Sequence, residues 1–373
     1  MRAPAIVSIV LVCLLGVSFN LWMAVNNADG SVDFNQFYAA GRLAGTGQLY
    51  NWDALRRLEE EHGRVTPTGR LPVVAYGMKL IGWMPYPVAR DVWLAGSVAA
   101  LVLFVFAWPG TKRLLMAAAL AWSMPAALLL VLGQDTPFWL LWAAVGLLLM
   151  ERGHPRWAGL VFALCICKFH LAVGLPVLLV AQRRWATLAA GAAAGAVLLA
   201  ACFAIEGPMW PARYLANAPQ LTPTAARMPN LHGIAWWLPG STAVEIILCL
   251  SLVVLLWFVC RGTSELGLAG AAVAASGLLL GGHGYANDCA VLIPLLVLTI
   301  QRPGVPAWLK VWAVFLLTPA TTLLLTTSKP FLGQLPILGF VIAALILMLR
   351  EHAPRGVERP VPSGAVPGGS GRA

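Results

Sequence analysis

The chain has 373 residues, 60% of them hydrophobic and only 11% charged, and a mean hydropathy of +0.79. That balance excludes a water-soluble globule and points to an all-α integral membrane protein, a polytopic helical bundle embedded in a lipid bilayer. A net charge of +10 would suggest nucleic acid in a soluble protein. Here the Arg and Lys lie mostly in short loops between apolar runs, where they read as topology signals, so no nucleic-acid partner is expected.

Ala3 to Val25 is long enough to cross a bilayer and follows Arg2, which reads as an uncleaved signal anchor with its amino end in the cytoplasm. The next stretch, SVDFNQFYAAGRLAGTGQLY, places Asp33 just beyond that span. A helical pattern follows it through Phe34, Phe37, Tyr38 and Leu43 until Gly45 and Gly47 break it, which predicts an interfacial amphipathic helix. Two roles for Asp33 stand side by side: a helix cap, or an acid fixed at the lipid surface as general base for an acceptor hydroxyl. Residues 26–88 form a first outer loop, with a charged segment Asp53–Arg70 read as a solvated helix and a Pro- and Trp-rich part hugging the surface.

Apolar runs follow at about 91–108, 114–132 and 136–150. Lys112, Arg113, Arg152 and Arg156 assign the connections they occupy to the cytoplasm, so Gly133, Gln134 and Asp135 face outward. The run Trp157–Ala181 has two readings. A single span would put Arg183 and Arg184 outside, whereas a break at Lys168 and His170 makes two short helices and keeps both arginines inside. Further runs at about 185–204, 242–260, 265–281, 289–300, 308–327 and 332–349 bring the count to about twelve membrane segments. They leave a second outer loop at 205–241, a single membrane domain over 1–350, and a Pro/Gly/Ser-rich tail at 351–373 expected to be disordered. The seven cysteines all fall in or beside apolar runs and show neither disulfide nor zinc spacing.

In this topology Asp33, Gln134, Asp135, Lys168, His170, Asn230, His232, His283, Tyr285 and Asp288 all reach the outer side. Each has a plain alternative: Gln134 and Asp135 can end a helix, His232 can be a loop residue, Asp288 can cap the next span, and Lys168 can snorkel. Their gathering at one level argues for a polar cavity, because such groups are costly at membrane depth unless satisfied.

These residues carry a resemblance. The stretch with Asp33, Phe34, Phe37, Tyr38, Ala40, Gly47 and Tyr50 resembles glycosyltransferase family 87. So do Gly133-Gln134 before an apolar run, and Ala158-Gly159 with Ala163 leading to Lys168. Asn230 with Gly233, and His283, Tyr285 and Asp288 ahead of Pro294, complete the pattern. Two departures stand out: Phe169 and His170 follow Lys168 where Pro or Thr is more usual, and the 281–288 turn is rich in Gly.

The resemblance implies a GT-C fold and a hexosyltransferase, most characteristically a mannosyltransferase. The sugar would move from a polyprenyl-phosphate donor to a hydroxyl on a glycan or glycolipid acceptor. The expected place is the outer face of a bacterial cytoplasmic membrane. Asp33 would be the base. Lys168, His170 and His283 would meet the departing phosphate, with Tyr38, Gln134, Asp135, Asn230, His232, Tyr285 and Asp288 contributing to substrate binding. Neither nucleotide, metal nor other cofactor is expected. Two other classes fit a many-span bundle: a transporter or flippase of a lipid-linked sugar, and an outer-face glycan ligase.

Overall fold

The computed structural model describes residues 3–26, 32–63, 65, 69–217 and 225–352. The tail 353–373 and residues 218–224 of the second outer loop lie outside the described residues. Every regular element among those described is helical, as expected where backbone groups must be satisfied without water.

After α1 (Ala3–Asn26) come four short helices at one end of the bundle: α2 (Val32–Leu43), α3 (Trp52–Glu60), α4 (Pro72–Gly77) and α5 (Lys79–Gly82). α6 (Tyr86–Ala107) then runs to the opposite end, where the Trp108 indole donates to the Gly267 carbonyl at 3.2 Å. The run read as one span over 114–132 is two helices, α7 (Arg113–Trp122) and α8 (Met124–Leu132), bent by 66°. The bend has a local cause. Pro125 lacks a donor for a continuous helix, and Ser123, in extended conformation, starts α8 by accepting from the Ala126 N–H. α9 (Thr136–Glu151) returns from the site end.

The run Trp157–Ala181 becomes α10 (Pro155–Ala163), a 3₁₀ segment Leu164–Val173 and α11 (Gly174–Ala181). Lys168 breaks it, with φ −130° and ψ 67°. Length and apolarity alone would pass the whole 27 residues as one crossing, but its contacts fold it back. Early in α10, Gly159 sits where an added Cβ would lie 2.3 Å from the Thr187 carbonyl oxygen, at the start of α12 (Trp185–Glu206). Past α11, the Gln182 amide donates to the carbonyls of Cys260 and Thr263, at that same end of the bundle. The chain therefore enters and leaves this hairpin on one side, and Lys168 and His170 occupy its tip.

The second half continues with α13 (Trp210–Asn217), α14 (Leu231–Ala235), α15 (Ser241–Gly262), α16 (Leu266–Leu280), a 3₁₀ turn Ala286–Leu292 and α17 (Ile293–Gln301). α18 (Ala307–Leu317) and α19 (Pro319–Thr326) are bent by 62° at Thr318, the residue before Pro319, and α20 (Phe331–His352) is the last described helix. α16 is the pillar of the core, buried along nearly its whole length. Its small residues let neighbours touch its backbone: a Cβ at Gly277 would stand 2.1 Å from the Leu171 carbonyl oxygen in the hairpin.

Among the described residues five helical stretches, with the 155–181 hairpin counted as one, are long and apolar enough to cross a membrane, or seven if each bent pair is one span. The expected twelve are not reached by that measure, because several apolar runs form short helices such as Thr136–Glu151 and Leu266–Leu280, which are sheathed by protein rather than lipid.

Candidate active site

The site assembles at the end of the bundle where α2, α8, the hairpin tip and the 3₁₀ turn before α17 converge. Asp33 stands in the first turn of α2, outside the spanning helices, and its Oδ2 accepts from the Gln134 amide at 2.6 Å. Close packing makes this contact possible. Gly133 has φ +70° and an added Cβ would fall 2.7 Å from the Phe34 Cβ, so only glycine lets the end of α8 lie against the start of α2. Trp93 secures the same turn by donating to the Gly133 carbonyl at 2.8 Å. Burial raises the Asp33 carboxyl to about 6, against the opposing pull of Lys168, the Gln134 hydrogen bond and Arg70.

Lys168 is 3% exposed and placed between two carboxylates, 2.5 Å from Asp288 Oδ1 and 3.6 Å from Asp135 Oδ1. Asp288 is further held by the Thr136 hydroxyl at 3.2 Å and by the Tyr285 N–H at 3.0 Å. The same oxygen of Asp135 meets Arg70, whose Nη2 donates to Oδ1 at 3.2 Å while Nη1 donates to the Cys167 carbonyl at 3.2 Å. The sequence pattern puts Arg70 in a solvated helix, but α3 ends at Glu60 and Arg70 turns inward to this cluster. Its guanidinium lies 4.7 Å over the Phe37 ring, and its carbonyl accepts from the Tyr50 hydroxyl at 2.8 Å. Thus the stretch from Asp33 to Tyr50 seats both the acid and the arginine.

His170 and His283 approach edge to face at 5.7 Å, and Tyr285 stands against His283 at 4.9 Å. Asn230 is built into the same wall. Its Nδ2 donates to the Gly281 carbonyl at 2.6 Å, while its Oδ1 caps α14 through the Gly233 N–H at 2.9 Å. A side chain at Gly233 would collide with the Met228 carbonyl, which accounts for Asn and Gly three apart. Tyr38 packs into an aromatic cluster instead, edge to face with Tyr86, and its hydroxyl donates to the Met84 carbonyl at 2.9 Å. His232 pairs with Glu245 at 2.8 Å, and no described contact joins it to Lys168 or Asp33.

Four buried atoms around this centre have no protein partner among the described residues: Arg70 Nε, Gln134 Oε1, Asp135 Oδ2 and His170 Nε2. Buried polar atoms are ordinarily paired, so donors and acceptors left open together at one place mark where a polar ligand belongs. Beside them opens an apolar groove of about 310 Å³, lined by Val73, Met78, Trp93, Phe138 and Leu198 and reaching Asp135 and Cys167. The arrangement offers an acid of raised pKa, two cations and an apolar slot ending at Asp135, the carboxylate that both cations meet. An acid and cations so placed can take up a proton and steady negative charge in a group transfer.

Comparison with curated proteins and with solved structures finds no match. The family model for glycosyltransferase family 87 matches residues 72–281, more than half of the chain. The match takes in Gln134, Asp135, Lys168, His170, Asn230 and His232, while Asp33 precedes it and His283, Tyr285 and Asp288 follow it. The chain is a multi-pass membrane protein that belongs to glycosyltransferase family 87.

Proposed function

We propose that the protein transfers a hexose, with mannose the first candidate, from a polyprenyl-phosphate donor to a hydroxyl of a glycan or glycolipid, on the outer face of a bacterial cytoplasmic membrane. The observation that carries this reading is the apolar groove that reaches Asp135 and Cys167, since Asp135 Oδ1 meets both Arg70 and Lys168 and the Cys167 carbonyl accepts from Arg70. A lipid tail in the groove would bring its phosphate to the cations and its anomeric carbon toward the acid. In the transfer, the acceptor hydroxyl gives its proton to the Asp33 carboxylate as its oxygen bonds the anomeric carbon. The bond from that carbon to the phosphate oxygen breaks, and polyprenyl phosphate leaves with the electron pair. Arg70 and Lys168, both held at Asp135 where the groove ends, stabilise the charge that grows on the leaving oxygen in a site shielded from water. Asp135 and Asp288 hold Lys168 in place.

The outward orientation is supported by charge. Arg113, Arg152, Arg156, Arg183, Arg184, Arg261 and Arg302 gather at the end away from the site, as a cytoplasmic end requires. Incubating membranes that contain the protein with radiolabelled polyprenyl-phosphate sugars, and separately with sugar nucleotides, tests the donor class. Label should pass to acceptor from a polyprenyl-phosphate sugar alone, and transfer from the nucleotides alone would overturn the reading.

A further inference from the structure

We propose that the rings of Phe169, His170, His283 and Tyr285 form the platform on which a hexose ring of the acceptor lies. The four rings make a ladder of near-perpendicular contacts: Phe169 to His170 at 5.9 Å, His170 to His283 at 5.7 Å and His283 to Tyr285 at 4.9 Å. Its two ends are open, Phe169 being 45% exposed and Tyr285 37%. Its Tyr285 end stands against the Lys168 and Asp288 pair through the Tyr285 N–H on Asp288.

The ladder joins two chain segments more than a hundred residues apart, and its construction is rigid. Gly281 lies where the two loops meet, a Cβ there being 3.2 Å from the His283 carbonyl oxygen and in ordinary contact, at 3.5 Å, with that of His170. Asn230 fixes the Gly281 carbonyl from behind at 2.6 Å.

Exposed aromatic residues at one end of a membrane bundle ordinarily anchor it in the headgroup layer, but such belts are made of Trp and Tyr. Two of these four rings are imidazoles, and His170 Nε2 is buried without a partner among the described residues. Burial also lowers the pKa of His283, which lies in the turn outside the spanning helices, so that its ring is held neutral. A neutral imidazole has one donor and one acceptor, which suits a hydroxyl and is poorly matched to a phosphate dianion. Aromatic faces carry negative charge and attract the polarised C–H face of a sugar ring, while the hydroxyl rim reaches polar atoms such as His170 Nε2. The two histidines, expected from sequence to meet phosphate, are thereby assigned to the acceptor. Arg70 and Lys168 remain for the donor.

The inference rests on the transfer reading above for the acceptor's presence, and the test separates the two. Kinetics on the full chain in membranes would use Tyr285→Leu and Phe169→Leu, both at exposed positions, with protein level in membranes measured alongside. The KM for acceptor should rise about tenfold per ring removed while the KM for donor stays where it was. Saturation-transfer NMR on the detergent-solubilised full chain, with methyl α-D-mannopyranoside as probe, should show signal that Tyr285→Leu abolishes and Arg70→Gln leaves intact. A KM change confined to donor, or hexoside signal that survives loss of both rings or is missing from active protein, would overturn the platform. If no polyprenyl-phosphate sugar serves as donor yet the hexoside signal still depends on Tyr285, the donor reading falls and the platform stands.

Discussion

The Lys168 ammonium stands 2.5 Å from Asp288 Oδ1, an ion pair closed between residues 120 apart and almost sealed from solvent. Breaking such a pair from one side strands a buried charge, at a cost of about 3–5 kcal/mol. Lys168→Met should therefore lower the yield and thermal stability of the protein in membranes. Adding Asp288→Asn to Lys168→Met should restore much of that stability without restoring sugar transfer. Recovery of activity in the double variant would show that the pair serves only the fold.

Asp33→Asn distinguishes the base from the cap. Asn caps helices as well as Asp does, whereas loss of a general base lowers the rate about a hundredfold to ten-thousandfold. Stability should move the other way. Because burial raises the folded-state pKa of Asp33 to about 6 from an ordinary value of 3.8, its ionisation opposes folding, and stability is lost as pH rises through that interval. Asp33→Asn escapes this penalty at neutral pH, so its melting temperature should equal or exceed that of the parent while its transfer rate collapses.

The same acid sets a pH profile. A base must be ionised, so kcat/KM should be level above about pH 7 and fall roughly tenfold per unit below about pH 6. Gln134→Leu removes the amide that donates to Asp33 and steadies its charge. The falling limb should then shift to higher pH. A profile unmoved by Gln134→Leu would mean that a different group titrates.

Gly133→Ala tests the seam between α2 and α8. The left-handed backbone alone costs about 1–2 kcal/mol with a side chain present, and the new methyl would meet the Phe34 Cβ at 2.7 Å. The start of α2 must move away, taking Asp33 out of reach of Gln134. Transfer should drop by about tenfold or more while the protein still accumulates, as read by assay against protein level in membranes.

Arg70→Gln keeps a planar donor and removes the charge. The KM for donor lipid should rise about tenfold or more, with the KM for acceptor little changed. An equal rise in both would place Arg70 in a purely structural role beneath Tyr50 and Phe37.

Much of this site could be read in the chain because membrane burial makes polar residues conspicuous. Lys168 interrupts an apolar run and Asp33 follows one, and positive charges at the hairpin's exit argue for a re-entrant path from sign alone. Arg70 was hidden for the opposite reason. It closes a run already full of charges, and what draws it inward is the Tyr50 hydroxyl bonding its backbone, a contact that leaves no spacing to find. Tyr38 and His232 carried the right chemistry, but nearer partners, Met84 and Glu245, take up their polar atoms. The bends at Ser123 and Thr318 did have a signal, since each is a hydroxyl residue with a proline one or two places on, where Pro suits the first turn of a new helix. Hydropathy alone passes over it.

The groove beside the site is walled on one side by α12, only 6% of whose apolar window is buried in protein. A donor that fills it travels sideways through the bilayer and is never dissolved in water on the way. What the enzyme senses is then a surface density. Doubling the lipid around a fixed number of donor molecules should slow the reaction as if the substrate had been halved, although its amount per litre is unchanged.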